Sequence, residues 1–355
     1  MIILSENMKN KLAFLSPVLP YGVIESWEDL NPRLYHAVHI YWLKFYGMWF
    51  NNYSPYTIKF WLLLMYTLTV LWLVCFFPGI GEVFYLLRQT ENIGDVAEGL
   101  YLFLSEMYTY FKIAVFWLNR EKIVDLLKYL HCKEFKPKEP EHREMITKSI
   151  KSARFVMTYY STMCVGAVSV GQIEILAFNL RNFDLVAERQ RKKDVSENKY
   201  IQQYSEQYYI RSVLKDCIIH HNCIIRYVSM IESAFSLASA LQFMLSVMVL
   251  CLVGIQFLSI ENPSSHPMQI AWMGIYLTCM LIEVFILCWF GDELIWKSSD
   301  LTKAAFEGPW MQSDRKTNMF IIIFLERCKR PLRLTAGKIF TLSLDTYTDV
   351  RKTFY

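Results

Sequence analysis

The chain has 355 residues, of which 54% are apolar, 16% are aromatic and only 20% are charged. Soluble domains carry about 25% charged residues, and the 13 Gly and 11 Pro exclude collagen-like and low-complexity chains. The net charge of +4 is too small to indicate a nucleic-acid partner. This composition is typical of a protein whose partner is the lipid bilayer.

Long uncharged stretches mark the candidate membrane spans. A helix that crosses the roughly 30 Å hydrocarbon core needs roughly 20 apolar residues, and its backbone groups must pair within the helix. No alternating strand pattern competes with these stretches. The sequence therefore predicts an all-α fold, a polytopic membrane helical bundle, with spans at Phe60–Gly81, Gly99–Leu118, Phe155–Ile173, Ser233–Ile260 and Gln269–Phe290.

Two shorter apolar stretches, Thr317–Phe324 and Leu334–Leu344, lie near the C-terminus. Neither is long enough to cross a bilayer. Both are predicted to be buried helical pieces on the cytosolic side.

Basic residues give the predicted orientation, because cytosolic segments collect Lys and Arg. Residues 119–154 hold ten, 174–232 hold nine and 291–338 hold nine, whereas 82–98 hold one and 261–268 hold none. The N-terminus, with five in residues 1–59, is also placed inside. One junction conflicts with this pattern, because a single crossing at Phe155–Ile173 would separate two basic segments that both belong inside. Either a segment is missing there, or this stretch does not span the membrane.

Aromatic stripes on two spans form the candidate ligand-binding surface. Tyr101, Leu104, Ser105 and Tyr108 recur at i, i+3, i+4 and i+7, so they share one helical face. Apolar cavities with a few polar groups suit small-molecule ligands, and plain helix packing is the alternative for each residue. The full predicted set is Tyr101, Leu104, Ser105, Tyr108, Tyr159, Trp272, Met273 and Tyr276.

Charged residues inside a span are functional candidates, and Glu106 and Lys112 both lie in the second span. The alternatives are contact of Glu106 with a water-filled cleft and extension of the Lys112 side chain to the membrane interface. The basic run at Arg189–Lys193 is interpreted as a solvated cytosolic segment, with lipid headgroup contact as the alternative.

Metal and catalytic sites are not predicted. Cys217, His220 and His221 share a helical face, but packing is favoured over zinc binding there. The sequence has no Gly-rich phosphate loop and no nucleophile elbow. We therefore expect neither an enzyme nor a cofactor.

The C-terminal third carries two specific residue patterns: Cys288–Leu294, followed by Ser298, Leu301 and Phe306, and then Lys329–Leu344. The first resembles the end of the sixth helix of insect odorant receptors, and the second resembles the opening of that family's seventh helix. Upstream, His220, His221 and Ile231–Ser236 resemble the long helix that leads into the fifth span. Leu43–Trp49 resembles the re-entrant segment before the first.

This resemblance implies the ligand-binding subunit of an odour-gated, non-selective cation channel. Such subunits bind volatile odorants and assemble as hetero-tetramers with the odorant co-receptor in the plasma membrane of olfactory sensory neuron dendrites. Three parts of the chain follow: a cytosolic segment with the re-entrant piece (1–59), a transmembrane bundle with basic loops at 119–154 and 174–232 (60–260), and the sixth span with a cytosolic anchor and a seventh helix (261–355).

Two departures from the family pattern are expected. The start of the third span, Arg154–Cys164, runs directly into the end of the fourth, Val165–Leu180, which indicates an internal deletion. The seventh helix is expected to be truncated at Tyr355.

Two other receptor families are alternatives. A gustatory receptor has the same architecture, and Thr346 and Tyr347 fit its seventh helix whereas Thr348–Arg351 do not. A G-protein-coupled receptor would need an exterior N-terminus, which the distribution of basic residues disfavours.

Overall fold

The computed structural model describes residues 58–88, 93–130, 132–157, 161–196, 205–260 and 267–352. The predicted re-entrant segment Leu43–Trp49 and the predicted site residue Tyr159 lie outside these ranges. The chain divides into two compact units, Met1–Arg120 with Ala238–Val284 and Glu121–Leu237 with Phe285–Tyr355. We call them the first and the second unit.

The described elements are almost all helical. In chain order they are α1 (Ile58–Leu71), a π-helical turn (Trp72–Phe76), α2 (Phe77–Arg88), α3 (Ile93–Leu118), α4 (Arg120–Tyr129), a 3-10 turn (Lys133–Phe135), α5 (Pro140–Met157), α6 (Ser161–Arg181), α7 (Phe183–Ser196), α8 (Glu206–Leu258), α9 (Pro267–Glu307), a 3-10 turn (Trp310–Gln312), α10 (Arg315–Cys328), β1 (Thr335–Ala336), β2 (Phe340–Thr341) and α11 (Leu344–Lys352).

The first predicted span is a helix with a π-helical turn, Trp72–Phe76, that joins α1 to α2. Pro78 lies two residues after the end of this turn. Because proline has no backbone N–H and its ring clashes with the carbonyl of the preceding turn, an uninterrupted α-helix is disfavoured there. A single π-turn is a common way for a helix to continue past such a position.

Among the described residues, two helices, α8 and α9, are long and apolar enough to cross a membrane. Helix α8 has 53 residues, which corresponds to about 80 Å, far more than the roughly 30 Å hydrocarbon core. The predicted span Ser233–Ile260 therefore fills only its C-terminal half. Its N-terminal half carries the end of the second basic segment.

The prediction of one continuous span at Phe155–Ile173 is wrong. Helix α5 ends at Met157 and α6 begins at Ser161. His142 of α5 pairs with Asn179 of α6, whereas Ser149 pairs with Ala167, so the two helices run antiparallel. The chain thus reverses direction, and the basic segments on either side of the pair return to the same end. The conflict in the distribution of basic residues disappears.

The prediction of a helical piece at Leu334–Leu344 is also wrong. The two short strands pair antiparallel, with Thr335 opposite Thr341 and Ala336 opposite Phe340. Gly337 and Lys338 have φ values of 62° and 60°. Two successive left-handed residues are typical of hairpin turns and cannot continue a helix. The other short piece, Thr317–Phe324, is helical and lies within α10, but the prediction that it is buried is wrong for Met319, Phe320, Ile322 and Ile323, which are exposed.

Three residues of α9 make the contacts that account for the C-terminal motif in the second unit. A Cβ atom on Gly291 would overlap the backbone carbonyl of Leu342, so only glycine allows this close approach. Asp292 accepts a hydrogen bond from the N–H of Leu344 at the start of α11 (3.4 Å). Ser298 accepts one from the N–H of Leu332 (2.9 Å). Residues 332–344 are therefore held against α9 along their length.

The hairpin also contacts α8 within the second unit. The N–H of Gly337 donates to the carbonyl of Ser236 (3.0 Å), and the hydroxyl of Thr335 donates to the carboxylate of Glu232. Both acceptors lie in the Ile231–Ser236 segment that the sequence comparison singled out. That segment and the C-terminal motif therefore pack against each other.

Candidate ligand-binding site

Three of the predicted site residues meet inside the first unit. The side chain of Tyr101 on α3 is 0% exposed, that of Met273 on α9 is 3% exposed, and both belong to a buried apolar cluster with Val249 and Val253 of α8. The ring of Tyr276 packs against this cluster, and its centroid lies 4.8 Å from that of Tyr101. The two predicted aromatic stripes therefore contact each other directly, and Val249 and Val253 of α8 pack beside them. We call these residues the outer cluster.

The other predicted residues lie at its edges or away from it. Leu104 and Ser105 are half-buried, and the Ser105 hydroxyl donates to the carbonyl of Leu102 in its own helix (2.8 Å). Tyr108 is buried, two turns further along α3 than Tyr101. Trp272 is 58% exposed, so the structure does not bring it into the outer cluster.

A chain of polar side chains lies next to Tyr108. The Tyr108 hydroxyl donates to the amide oxygen of Gln242 on α8. The amide nitrogen of Gln242 in turn donates to the hydroxyl of Ser246, one turn along the same helix (3.2 Å). Buried polar groups in a bundle must pair in this way, because an unpaired group is costly in an apolar medium.

Lys112 pairs with Glu283, which the sequence did not predict. The Lys112 Nζ atom lies 2.8 Å from Glu283 Oε1 on α9, and their side chains are 34% and 16% exposed. The same Nζ lies 4.1 Å above the centroid of the Tyr108 ring, a favourable position for a cation. The two charges that interrupt the second and sixth spans therefore compensate each other. Lys112 does not need to reach the membrane interface.

Glu106 has no such partner. Its Oε2 atom is buried without a hydrogen bond among the described residues. A Cβ atom on Gly79 would lie 2.6 Å from this oxygen, so the carboxylate is packed against the backbone of α2. The π-turn and glycine of the first span leave room for it.

A second polar pair lies one turn beyond the outer cluster. The Gln256 amide nitrogen on α8 donates to the carboxylate of Glu98 on α3 (2.7 Å). Gln256 is 1% exposed, and its Oε1 atom has no partner in the part of the chain that the structure describes. The buried hydroxyl of Tyr101 is also without a partner there. The site thus combines apolar and aromatic walls with a few unsatisfied polar atoms, as ligand pockets do.

The residues weighed as zinc ligands do not converge. His220 donates from Nε2 to the amide oxygen of Gln172 (2.9 Å), whereas the ring of His221 packs against Phe324, with centroids 5.2 Å apart. Within the described ranges, no group of three or more potential ligands could hold a metal ion.

Comparison with known proteins decides the family. A family model described as 7tm Odorant receptor matches residues 164–355, more than half of the chain. The chain belongs to the insect odorant receptor family. The odorant receptor coreceptor of Aedes aegypti is 29% identical over 141 residues, which are 40% of this receptor and 29% of that relative. Odorant receptor 67a of Drosophila melanogaster is 29% identical over 133 residues, which are 38% of this receptor and 32% of that one.

The aligned part of this odorant receptor therefore spans less than a third of the length of these relatives. The similarity in structure extends further. The insect olfactory receptor OR5 from Machilis hrabei, solved in complex with eugenol, aligns with a TM-score of 0.59 at 14% identity and covers 89% of this chain and 96% of that one. This odorant receptor thus has the same membrane helical fold. The assignment replaces the gustatory and G-protein-coupled alternatives.

Proposed function

We propose that this odorant receptor is the ligand-binding subunit of an odour-gated, non-selective cation channel that it forms with the odorant co-receptor in the plasma membrane of olfactory neurons. The observation that carries the proposal is the outer cluster. There α3, α8 and α9 bring an aromatic pair, apolar side chains and unsatisfied polar atoms together. Among the described residues, this is where the two predicted stripes meet.

Ligand binding would act on the contacts between α3 and α9. Tyr101 and Tyr276 hold these helices together at one level, and Lys112 and Glu283 hold them together at another. A ligand that inserts between the two rings changes the first contact and leaves the second as a pivot. Gating is then a population shift towards the arrangement that binds the ligand better.

Assembly would use an exposed apolar face of α10 in the second unit. Met319, Phe320, Ile322 and Ile323 are all exposed there, next to a basic segment that the distribution of charges places in the cytosol. Contiguous apolar surface of this kind in an aqueous compartment marks a protein interface. The co-receptor sequences among the relatives support a co-receptor subunit as the occupant.

Whole-cell recording with the co-receptor tests the ligand site. We expect Tyr101→Ala and Tyr276→Ala each to shift the half-maximal concentration of active odorants by about tenfold, since a lost aromatic contact is worth about 1 kcal/mol or more. Ile275→Ala is the matched control, because Ile275 precedes Tyr276 on α9 and is exposed. Unchanged dose–response curves for both tyrosine variants, at normal surface expression, would exclude this site.

A further inference from the structure

Among its described residues, the first unit contains several buried polar atoms without hydrogen-bond partners around the outer cluster. The unsatisfied atoms include Gln256 Oε1, the Tyr101 hydroxyl and one carboxylate oxygen each of Glu82 and Glu106. Gln256 and Tyr101 are almost completely buried. Buried polar atoms are rarely left unpaired, and each one calls for an explanation.

The hydrogen bond that Gln256 already makes shows which kind of partner is missing. Its amide nitrogen donates to Glu98, so the remaining amide oxygen can only accept a hydrogen bond. Glu98 precedes Tyr101 by three residues on α3, and Gln256 follows Val253 by three on α8. The pair therefore lies one helical turn from the outer cluster. A group that satisfies Gln256 must bring a hydrogen-bond donor.

Acidic side chains outnumber basic ones in this neighbourhood. Glu98 accepts a hydrogen bond from Gln256 (2.7 Å), and one carboxyl oxygen each of Glu82 and Glu106 is buried without a partner among the described residues. Lys112 is the only basic residue in α3 and in the parts of α8 and α9 that belong to this unit. It is already paired with Glu283. The described part of the site therefore offers carboxylates without a matching cation.

We propose that the ligand of this receptor is an organic amine bound as its ammonium ion. This inference rests on the proposed ligand-binding function and names the ligand class. An ammonium group brings several N–H donors for Gln256 and Glu98, and its charge is favoured over the faces of aromatic rings such as Tyr101 and Tyr276. The apolar body of the amine packs against Val249, Val253 and Met273. Methionine side chains adapt their shape readily, which accommodates the ligand between the rings.

Odorants that only accept hydrogen bonds fit less well. An ether, ester or ketone leaves Gln256 Oε1 unpaired and brings no charge for the carboxylates. Alcohols are intermediate, since a hydroxyl group offers one donor. The expected order of potency is therefore amine, then alcohol, then methyl ether on the same carbon skeleton.

Recordings with matched ligands test the order. Butyl, hexyl and 2-phenylethyl skeletons, each as amine, alcohol and methyl ether, are applied to cells that express this receptor and the co-receptor. For at least one skeleton the amine should be tenfold or more potent than the ether. Glu98→Gln should reduce that ratio by about tenfold, and Gln256→Glu, which adds a carboxylate, should preserve or increase it. Ile275→Ala should leave it unchanged. Ethers as potent as amines on every active skeleton would overturn the inference.

A binding measurement separates this inference from channel function. The purified chain in lipid nanodiscs should melt at a higher temperature with 2-phenylethylamine than with its methyl ether, and Glu98→Gln should abolish the difference. Currents evoked by alcohols and ethers but not by amines would overturn the amine inference and leave the proposed function standing. Stabilisation by the amine without any current would support the amine inference and overturn the proposed channel function. Neither stabilisation nor current would overturn both.

Discussion

At the scale of single residues, the ion pair between Lys112 and Glu283 shows what a sequence can and cannot reveal. Both charges stand out because each interrupts an apolar span. Their pairing does not, because the residues are 171 positions apart and only the packing of α3 against α9 brings them together. Gln256 and Glu98 are likewise brought together only by the packing of α8 against α3. The sequence shows which residues are polar, but it does not show which of them pair.

Removing one member of the ion pair should destabilise the first unit more than removing both. Glu283→Met or Lys112→Met leaves a partly buried charge without its partner, which costs several kcal/mol in fully buried pairs and about 2 kcal/mol here, since Lys112 is one-third exposed. The double variant Lys112→Met with Glu283→Met should recover most of the loss. Thermal unfolding of the four proteins in detergent gives the coupling energy. Additive effects of the two substitutions on stability would show that the two side chains do not interact in the folded protein.

Buried histidines should make the second unit sensitive to acid. Burial lowers the pKa of His220 to about 3 and that of His221 to about 4, both upstream of the predicted span of α8. In the unfolded chain these histidines titrate near 6.5, so acid favours the unfolded state. Their contribution is complete above about pH 6.5 and is lost as the pH falls from there towards 4, by about 1.4 kcal/mol per unit and residue.

Melting temperatures between pH 7.5 and 5 measure this effect. His220→Gln keeps a polar side chain beside Gln172 and removes the titration, so its melting temperature should fall less between these pH values than that of the wild type. An equal fall in both proteins would assign the acid sensitivity to other groups. His142 is a further contributor, since burial also lowers its pKa.

At the scale of elements, the sequence predicted helices well and chain reversals poorly. The apolar stretches Ser233–Ile260 and Gln269–Phe290 are helical almost throughout. The reversal between α5 and α6 falls inside an uncharged stretch, so neither charge nor hydropathy marked it. The β-hairpin is marked in the sequence by apolar residues at every second position, Leu332, Leu334 and Ala336, and the structure buries all three. That period of two indicates a strand, and Gly337 marks the turn.

Two glycines of α9 should respond in opposite ways to alanine. Gly291→Ala places a methyl group against the backbone of Leu342, which should displace residues 332–344 and cost about 2 kcal/mol or more. Gly274→Ala meets no atom within 4 Å and should be neutral or stabilise the helix by up to about 1 kcal/mol. Melting temperatures and size-exclusion profiles of the two variants compare them directly. Equal stability would show that the approach of Leu342 to Gly291 is not tight.

At the scale of the whole molecule, family membership was within reach of the sequence because its motif is local. Residues 288–306 and 329–344 carry it, and the structure explains their identity through Gly291, Asp292 and Ser298. The ligand site, in contrast, has no local sequence motif. Its residues come from three helices, and no local spacing records how those helices pack. The sequence therefore indicates the receptor family sooner than it indicates the ligand.

Assembly with the co-receptor should depend on the exposed face of α10. Ile322 and Ile323 are 64% and 60% exposed, so a charge at either position costs the isolated subunit little. Buried in a subunit interface, the same charge would lose its water and be strongly unfavourable. Ile322→Glu and Ile323→Glu should therefore reduce co-purification with the tagged co-receptor by about tenfold or more, while the melting temperature of the isolated chain stays within about 2 °C of the wild type. Leu185→Glu is the control, since Leu185 is an exposed apolar residue of α7 in the same unit. If both isoleucine variants co-purify as the control does, this face of α10 is not where the co-receptor binds.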